Sequence, residues 1–287
     1  SNANTDRPML KLLSWQSRLA FTAVFSLIAG FLFLPLGWMA LTSIKPEAEV
    51  FVRMPTLWPN AATLQNYAQL FSRSDMLLQL KNSLITAGGG AVLTVILATY
   101  AAYSFAKFRY LGRKPLMFLM LSAQMFPFAM MLISLYPMLQ WAGLLNTHLG
   151  LILAYIILAL PSGTYMLYSY FINIPTEIIE AARADGAGEL YILHRIVLPL
   201  AMPALVTVGL YSFMWAWNDL LFSLTLITQP ELRTVGPGLL LNYIGESRND
   251  WGGAMAASIV SSLPVVIGFA FLQRFFIQGL TAGAVKS

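Results

Sequence analysis

The 287-residue sequence contains no cysteine, which excludes disulfides and thiolate metal sites. Charge is scarce too: 10% of residues are Asp, Glu, Lys or Arg, against 58% hydrophobic. A soluble domain carries roughly a quarter charged residues, so this chain cannot cover itself in water and a membrane protein is expected. Neither His148 nor His194 has a ligating companion three or four residues on, which leaves no candidate metal centre. The phosphate loop G-x-x-x-x-G-K-[ST] is missing. Gly88-Gly-Gly90 is followed by Ala-Val-Leu and not by lysine, so it reads as close helix packing. Nucleotide hydrolysis is therefore assigned to another chain, and no cofactor to this one. Repeats, heptads and low-complexity tracts are also missing. The net charge is +5, but the bases flank apolar segments and do not gather on a water-facing surface, which excludes a nucleic-acid partner.

What the sequence does hold is apolar runs long enough to satisfy their own backbone in lipid. Six are predicted, at 19–42, 80–106, 115–139, 150–171, 200–228 and 253–276. Ser1-Asn2-Ala3 reads as a tag-cleavage remnant, and the first run, with no small-residue cleavage pattern after it, reads as a retained span. An even number of spans places both termini on one side. Arg7, Lys11, Arg18, Lys107, Arg109, Arg113, Lys114, Arg183, Arg195, Arg274 and Lys286 share that side. Lys45, Arg53, Arg73, Lys81, Arg233 and Arg248 lie on the other. The richer side is cytoplasmic by the positive-inside rule. The first external loop, 43–79, is long and punctuated by Pro46, Pro55 and Pro59.

The fourth loop, 173–199, is charged yet reads as helical. Pro175 suits a first turn, Glu177 complements the helix dipole, and Gly186 and Gly188 can end the helix. A second helix is predicted over 189–197, stopping at Pro199. Ile178 and Ala182 share one face, and Leu190, Leu193 and Val197 repeat the spacing. Such a pair of helices suits a groove on a soluble partner. The pattern alone equally allows a loop folded back on its own bundle.

Glu180-Ala181-Ala182, then Gly186, then Ile196-x-Leu198-Pro199 resembles the EAA motif of binding-protein-dependent ABC importer permeases. The likeness runs from about Asn82 onward. It includes Ala102-Tyr-Ser-Phe-Ala-Lys-Phe-Arg109, Gln124-Met-Phe-Pro127, Gly143-Leu-Leu-Asn-Thr-His148, Trp217-Asn-Asp219 and the tail from Gln278 to Lys286. These segments are similar to the shorter, six-helix permease of sugar importers. The resemblance implies one all-α transmembrane domain over 1–287 with the type I importer permease fold, multi-pass in the bacterial inner membrane. It implies that the loop, with Glu180, Ala181, Ala182, Asp185, Gly186, Ile196, Leu198 and Pro199, inserts into a cleft on an ATPase subunit. The tail over 277–287, with Gln278, Gly279, Thr281 and Gly283, would reach into the ATPase dimer. The implied partners are a longer permease, two ATPases that bind the ATP and Mg, and a periplasmic sugar-binding protein. Maltose-like oligosaccharides are the analogy and alginate oligosaccharides a specific candidate. The external face, with its six basic residues and seven acidic ones counting Asp219, shows no positive funnel for an anionic sugar.

Asp219 is the single acid well inside a predicted span, which makes it a functional candidate. Cavity or structural hydrogen bonding is preferred for it over substrate contact. Tyr211, Trp215, Asn218 and Phe222 form a stripe at helical spacing around it. The stripe suits a sugar passing through a cavity, and equally suits interfacial anchoring. Two other classes were weighed. An intramembrane enzyme lacks a second acid or a Ser/His pair in a neighbouring span. A secondary transporter or channel without an ATPase partner, the alternative reading, lacks inverted repeats and several buried ionisable groups.

Overall fold

The computed structural model describes residues 15–73, 75–245 and 248–284, with side chains at all of these except 16, 73, 245, 248, 249 and 274–284. Its helices are α1 Trp15–Ser43, α2 Glu47–Val50, α3 Gln65–Arg73, α4 Met76–Lys107, α5 Arg113–Ser122, α6 Phe128–Trp141 and α7 His148–Phe171. They continue as α8 Thr176–Ala184, α9 Glu189–Leu200, α10 Met202–Trp217, α11 Leu221–Leu226, α12 Val235–Tyr243 and α13 Trp251–Ala284. A two-residue antiparallel ladder, β1 Ile244–Gly245 with β2 Arg248–Asn249, is the only strand pairing among the described residues.

Among the described residues four helices are long and apolar enough to cross a membrane, and up to six spans result if each of two bent pairs counts as one. The predicted third span is not continuous. It breaks between Met125 and Phe128, and α5 and α6 diverge by 103° across the break. Pro127 explains it, because its ring disfavours helical backbone at Phe126, which is extended at ψ 136°. The predicted fifth span begins at Met202, after an 81° bend from α9, and ends at Trp217 instead of Thr228. Asn218, Asp219 and Leu220 interrupt it, and α11 restarts the helix. The predicted sixth span lies in α13, which runs past the predicted end at Phe276 through most of the tail, to Ala284.

The centre of the molecule is the seam where α4, α7 and α10 meet. Small residues let the backbones approach, as expected where lipid supplies no hydrophobic drive between helices. Ala98, Ala102 and Val208 are buried there. At Gly163 a Cβ would lie 2.9 Å from Val208 Cγ1, so only glycine fits without displacement. By contrast α1 exposes large apolar side chains along its whole length, among them Phe21, Leu27, Phe31 and Leu34.

The predicted external loop 43–79 is structured. Asn66 donates to the carbonyls of Ser43 and Lys45 at 2.8 and 3.0 Å, which fastens α3 to the end of α1. Lys45 is buried, donates to the Thr56 carbonyl and lies 5.0 Å over the Trp38 ring. At the same end Asn82 Nδ2 donates to the carbonyls of Glu231 and Arg233. Asn146, at φ 54°, accepts from both the amide and the hydroxyl of Thr228.

Candidate functional site

The first region of interest is the helix pair α8–α9. α8 starts after Pro175 and closes in a turn whose geometry requires glycine. Gly186 has φ +85°, its N–H donates to Arg183 O, and the Ala187 N–H reaches back to Ala182 O, both at 3.0 Å. This crossed pair of bonds around a left-handed residue satisfies carbonyls that the helix end would otherwise orphan.

The buried face differs from the predicted one by one position. Ile179, not Ile178, is buried against the bundle, with Ala182 half-covered beside it. On α9 the buried residues are Ile192, Leu193 and Val197, whereas Leu190 is exposed. The second helix also does not stop before Pro199. It widens into a π turn over Leu193–Val197, where the Leu198 N–H bonds Leu193 O, and continues to Leu200. Proline has no N–H for the carbonyl four residues back, and widening the turn absorbs that deficit.

Polar anchors fasten the pair to α4 and α7. Tyr103 Oη donates to Glu189 Oε2 at 3.0 Å, and Arg183 Nε meets Glu189 Oε1 at 2.6 Å. The hydrogen bond to Glu189 raises the Arg183 guanidinium above its already high ordinary value, so the pair stays ionised. Lys107 Nζ donates to Ile174 O at 2.8 Å, and Tyr170 Oη donates to Leu200 O at 3.0 Å. With the inner face held in this way, the outer face presents Ile178, Glu180, Ala181, Asp185, Gly186, Leu190 and Tyr191, all exposed. Ile196 and Leu198 are half-buried, and Pro199 is exposed. Of the tail candidates, Gln278, Gly279, Thr281 and Gly283 lie in the last turns of α13, and their side chains fall outside the described residues.

The second region is a cleft of about 680 Å³ beside the end of α10, lined by Phe128, Tyr211, Trp215, Asn218, Asp219 and Leu220 among others. Three of the four residues of the predicted stripe, Tyr211, Trp215 and Asn218, therefore meet there with Asp219. Phe222 does not: it is fully buried behind the cleft, stacked on Phe128 at 6.0 Å. Asp219 is 9% exposed, and its carboxylate accepts from Tyr155 Oη at 3.1 Å, Phe222 N at 3.2 Å and Ser223 N at 2.8 Å. It thus caps α11 and joins α7 to the α10 end. The Trp215 ring stands edge-on to Phe128 and Tyr155, with centroids 6.3 and 6.2 Å away.

A smaller recess of about 230 Å³ shares Phe128, Tyr211 and Trp215 with the cleft and adds Gln124 and Ser162. Neither Gln124 nor Ser162 was a predicted site residue. Their signal was present, since each is a polar residue within three positions of a proline in an otherwise apolar run. Among the described residues no three His, Asp or Glu side chains stand close enough together to hold a metal ion.

Residues 74–282 match the family described as the binding-protein-dependent transport system inner membrane component. The chain belongs to this family. Relatives of the permease family include the sulfoquinovosyl glycerol transport system permease protein of Agrobacterium fabrum. It is 37% identical over 268 residues, covering 93% of this chain and 93% of the relative. The trehalose/maltose transport system permease protein of Thermococcus litoralis is 34% identical over 254 residues, covering 88% of this chain and 91% of the relative. In fold the permease is similar to a chain of a bacterial ABC transporter involved in the import of the acidic polysaccharide alginate. The TM-score is 0.80 at 22% identity, covering 94% of this chain and all of that one. This sugar ABC permease therefore has the type I importer fold and is a multi-pass membrane protein.

Proposed function

We propose that this permease is one half of the translocation path of an ATP-driven oligosaccharide importer in the bacterial inner membrane, with both termini cytoplasmic. It pairs with a longer permease, rests on two ATPase subunits that bind the ATP and Mg, and receives sugar from a periplasmic binding protein. The observation that carries this reading is the α8–α9 pair. Its apolar inner face is locked to α4 and α7, while Glu180, Ala181, Asp185 and Gly186 stand free on the outer face. A rigid element with one bound face and one free face suits insertion into a groove of a soluble subunit.

Closure of the ATPases on ATP would push α8–α9. The push would pass through Tyr103–Glu189 and the apolar seam into α4 and α7, and alternate the access of the cleft. The tail residues Gln278, Gly279, Thr281 and Gly283 extend α13 toward the same ATPases in this reading. Tyr211, Trp215 and Asn218 line the sugar path, with Asp219 as its structural support.

The test is to purify the tagged chain from its host membrane with whatever subunits remain attached and to measure ATP-dependent sugar accumulation in vesicles. Glu180→Lys should release the ATPase, and Trp215→Ala should leave it attached while impairing accumulation. Uptake without any attached ATPase would overturn the reading.

A further inference from the structure

The smaller recess gathers three uncharged polar side chains from three different elements: Gln124 at the α5–α6 break, Ser162 on α7 and Tyr211 on α10, the last shared with the cleft. Gln124 Nε2 and Tyr211 Oη both donate to Ser162 Oγ, the latter at 3.3 Å. A hydroxyl oxygen that accepts two bonds has filled its lone pairs and still carries its own proton. That proton and the Gln124 amide oxygen are the groups left to meet a solute. The rings of Trp215 and Phe128 line the same recess.

An amide and two hydroxyls turned toward hydrocarbon would be costly, so a convergence of this kind marks a wet cavity and not a lipid face. The charge inventory then narrows the solute. Among the described residues no lysine, arginine or histidine lines either recess, and the Asp219 carboxylate is occupied by its three donors. A carboxylated or sulfonated sugar would bring a charge into a site where the described residues hold no counter-charge, at a large desolvation cost. A neutral ring offers hydroxyls to the amide–hydroxyl cluster and an apolar face to the aromatic rings, the usual division of labour in a ligand pocket.

We infer that Gln124, Ser162 and Tyr211, flanked by Trp215 and Phe128, form a subsite for a neutral pyranose of the transported oligosaccharide. The inference rests on the importer reading above and adds the substrate class and two residues to it.

The cysteine-free chain allows a direct test. Ser162→Cys is introduced into the full chain, co-expressed with its partners, and labelled in vesicles with a small water-soluble thiol reagent. The probes are a mixture of maltotriose, trehalose and cellotriose in one arm and trimannuronate in the other. The expected result is labelling that the neutral mixture slows at least threefold and the uronate does not. Adding Gln124→Leu should raise the half-protecting concentration by roughly three- to tenfold, as for loss of one hydrogen bond. A cysteine unreactive toward the reagent overturns the subsite, as does protection by the uronate or no protection by the neutral mixture. ATP-driven uptake measured in parallel vesicles that carry the unsubstituted chain separates the two readings. Protection without uptake would sink the importer reading alone, and uptake without protection would sink the subsite alone.

Discussion

Tyr103 and Glu189 are 86 positions apart in sequence, yet the phenol of one donates to the carboxylate of the other at 3.0 Å. This bond joins a membrane helix, α4, to the segment proposed to receive the ATPase. Tyr103→Phe removes the donor and leaves the carboxylate half-exposed to water, so the cost should be about 1 kcal/mol, below that of a fully buried charged bond. The thermal unfolding midpoint in detergent should fall by roughly 2–4 °C. Glu189→Gln should behave similarly, with a small additional loss from the exposed Arg183 pair. A midpoint unchanged by Tyr103→Phe would mean that packing alone holds the two elements.

Gly186 sits at φ +85° in the turn between α8 and α9. Gly186→Val should cost about 1–2 kcal/mol locally, because a β-branched residue resists the left-handed region. Membrane insertion should be normal, while the amount of ATPase recovered with the tagged chain should fall. Gly186→Asn, which tolerates that backbone, should retain more of it. Equal recovery with valine and glycine would remove the turn from the coupling role.

Gly163 faces Val208 across the α7–α10 seam, at a distance where a Cβ would clash at 2.9 Å. Gly163→Ala should destabilise by roughly 1–3 kcal/mol through overpacking. Gly163→Ala with Val208→Ala should recover part of the loss, because the colliding methyl is gone. An unfolding series of the two single variants and the double variant measures this. Additive losses would mean that the backbones separate instead of the side chains colliding.

Ser72 on α3 and Ala184 on α8 are both exposed. In the proposed orientation, cysteines placed singly at these positions should label from opposite faces of the membrane. A membrane-impermeant thiol reagent applied to intact spheroplasts should reach Ser72→Cys and not Ala184→Cys. Labelling of both from outside would reverse the orientation or change the number of spans.

Much of this fold could be read from residue order alone, and the exceptions share a cause. Long apolar runs such as α4 and α7 stood out because each satisfies its own backbone within one segment. The turn at Gly186 was legible because a positive φ is nearly a signature of glycine. The breaks at Pro127 and at Asn218–Leu220 were missed because the apolar count continues across them, and composition does not register a backbone that changes direction. Ile179 and Ile178 are neighbours of the same type. Which of them turns inward depends on the angle at which α8 leaves α7, a tertiary fact. The cleft was partly legible: the stripe placed Tyr211, Trp215 and Asn218, but Gln124 and Ser162 join them only once the α5–α6 elbow folds back on α7.

The π turn over Leu193–Val197 has a consequence for how the loop is counted. A bond reaching five residues back takes up one residue more than a regular turn, and each residue rotates a helix by about 100°. Leu190 and Tyr191 on one side of it and Pro199 on the other are therefore out of phase with a continuous helix. Deleting a single residue between Gly186 and Ile196 would turn the free face by more than a quarter of a circle relative to the membrane helices. The nine-residue interval in the sequence pattern thus acts as an angular setting, and its length sets the direction in which the docking face points.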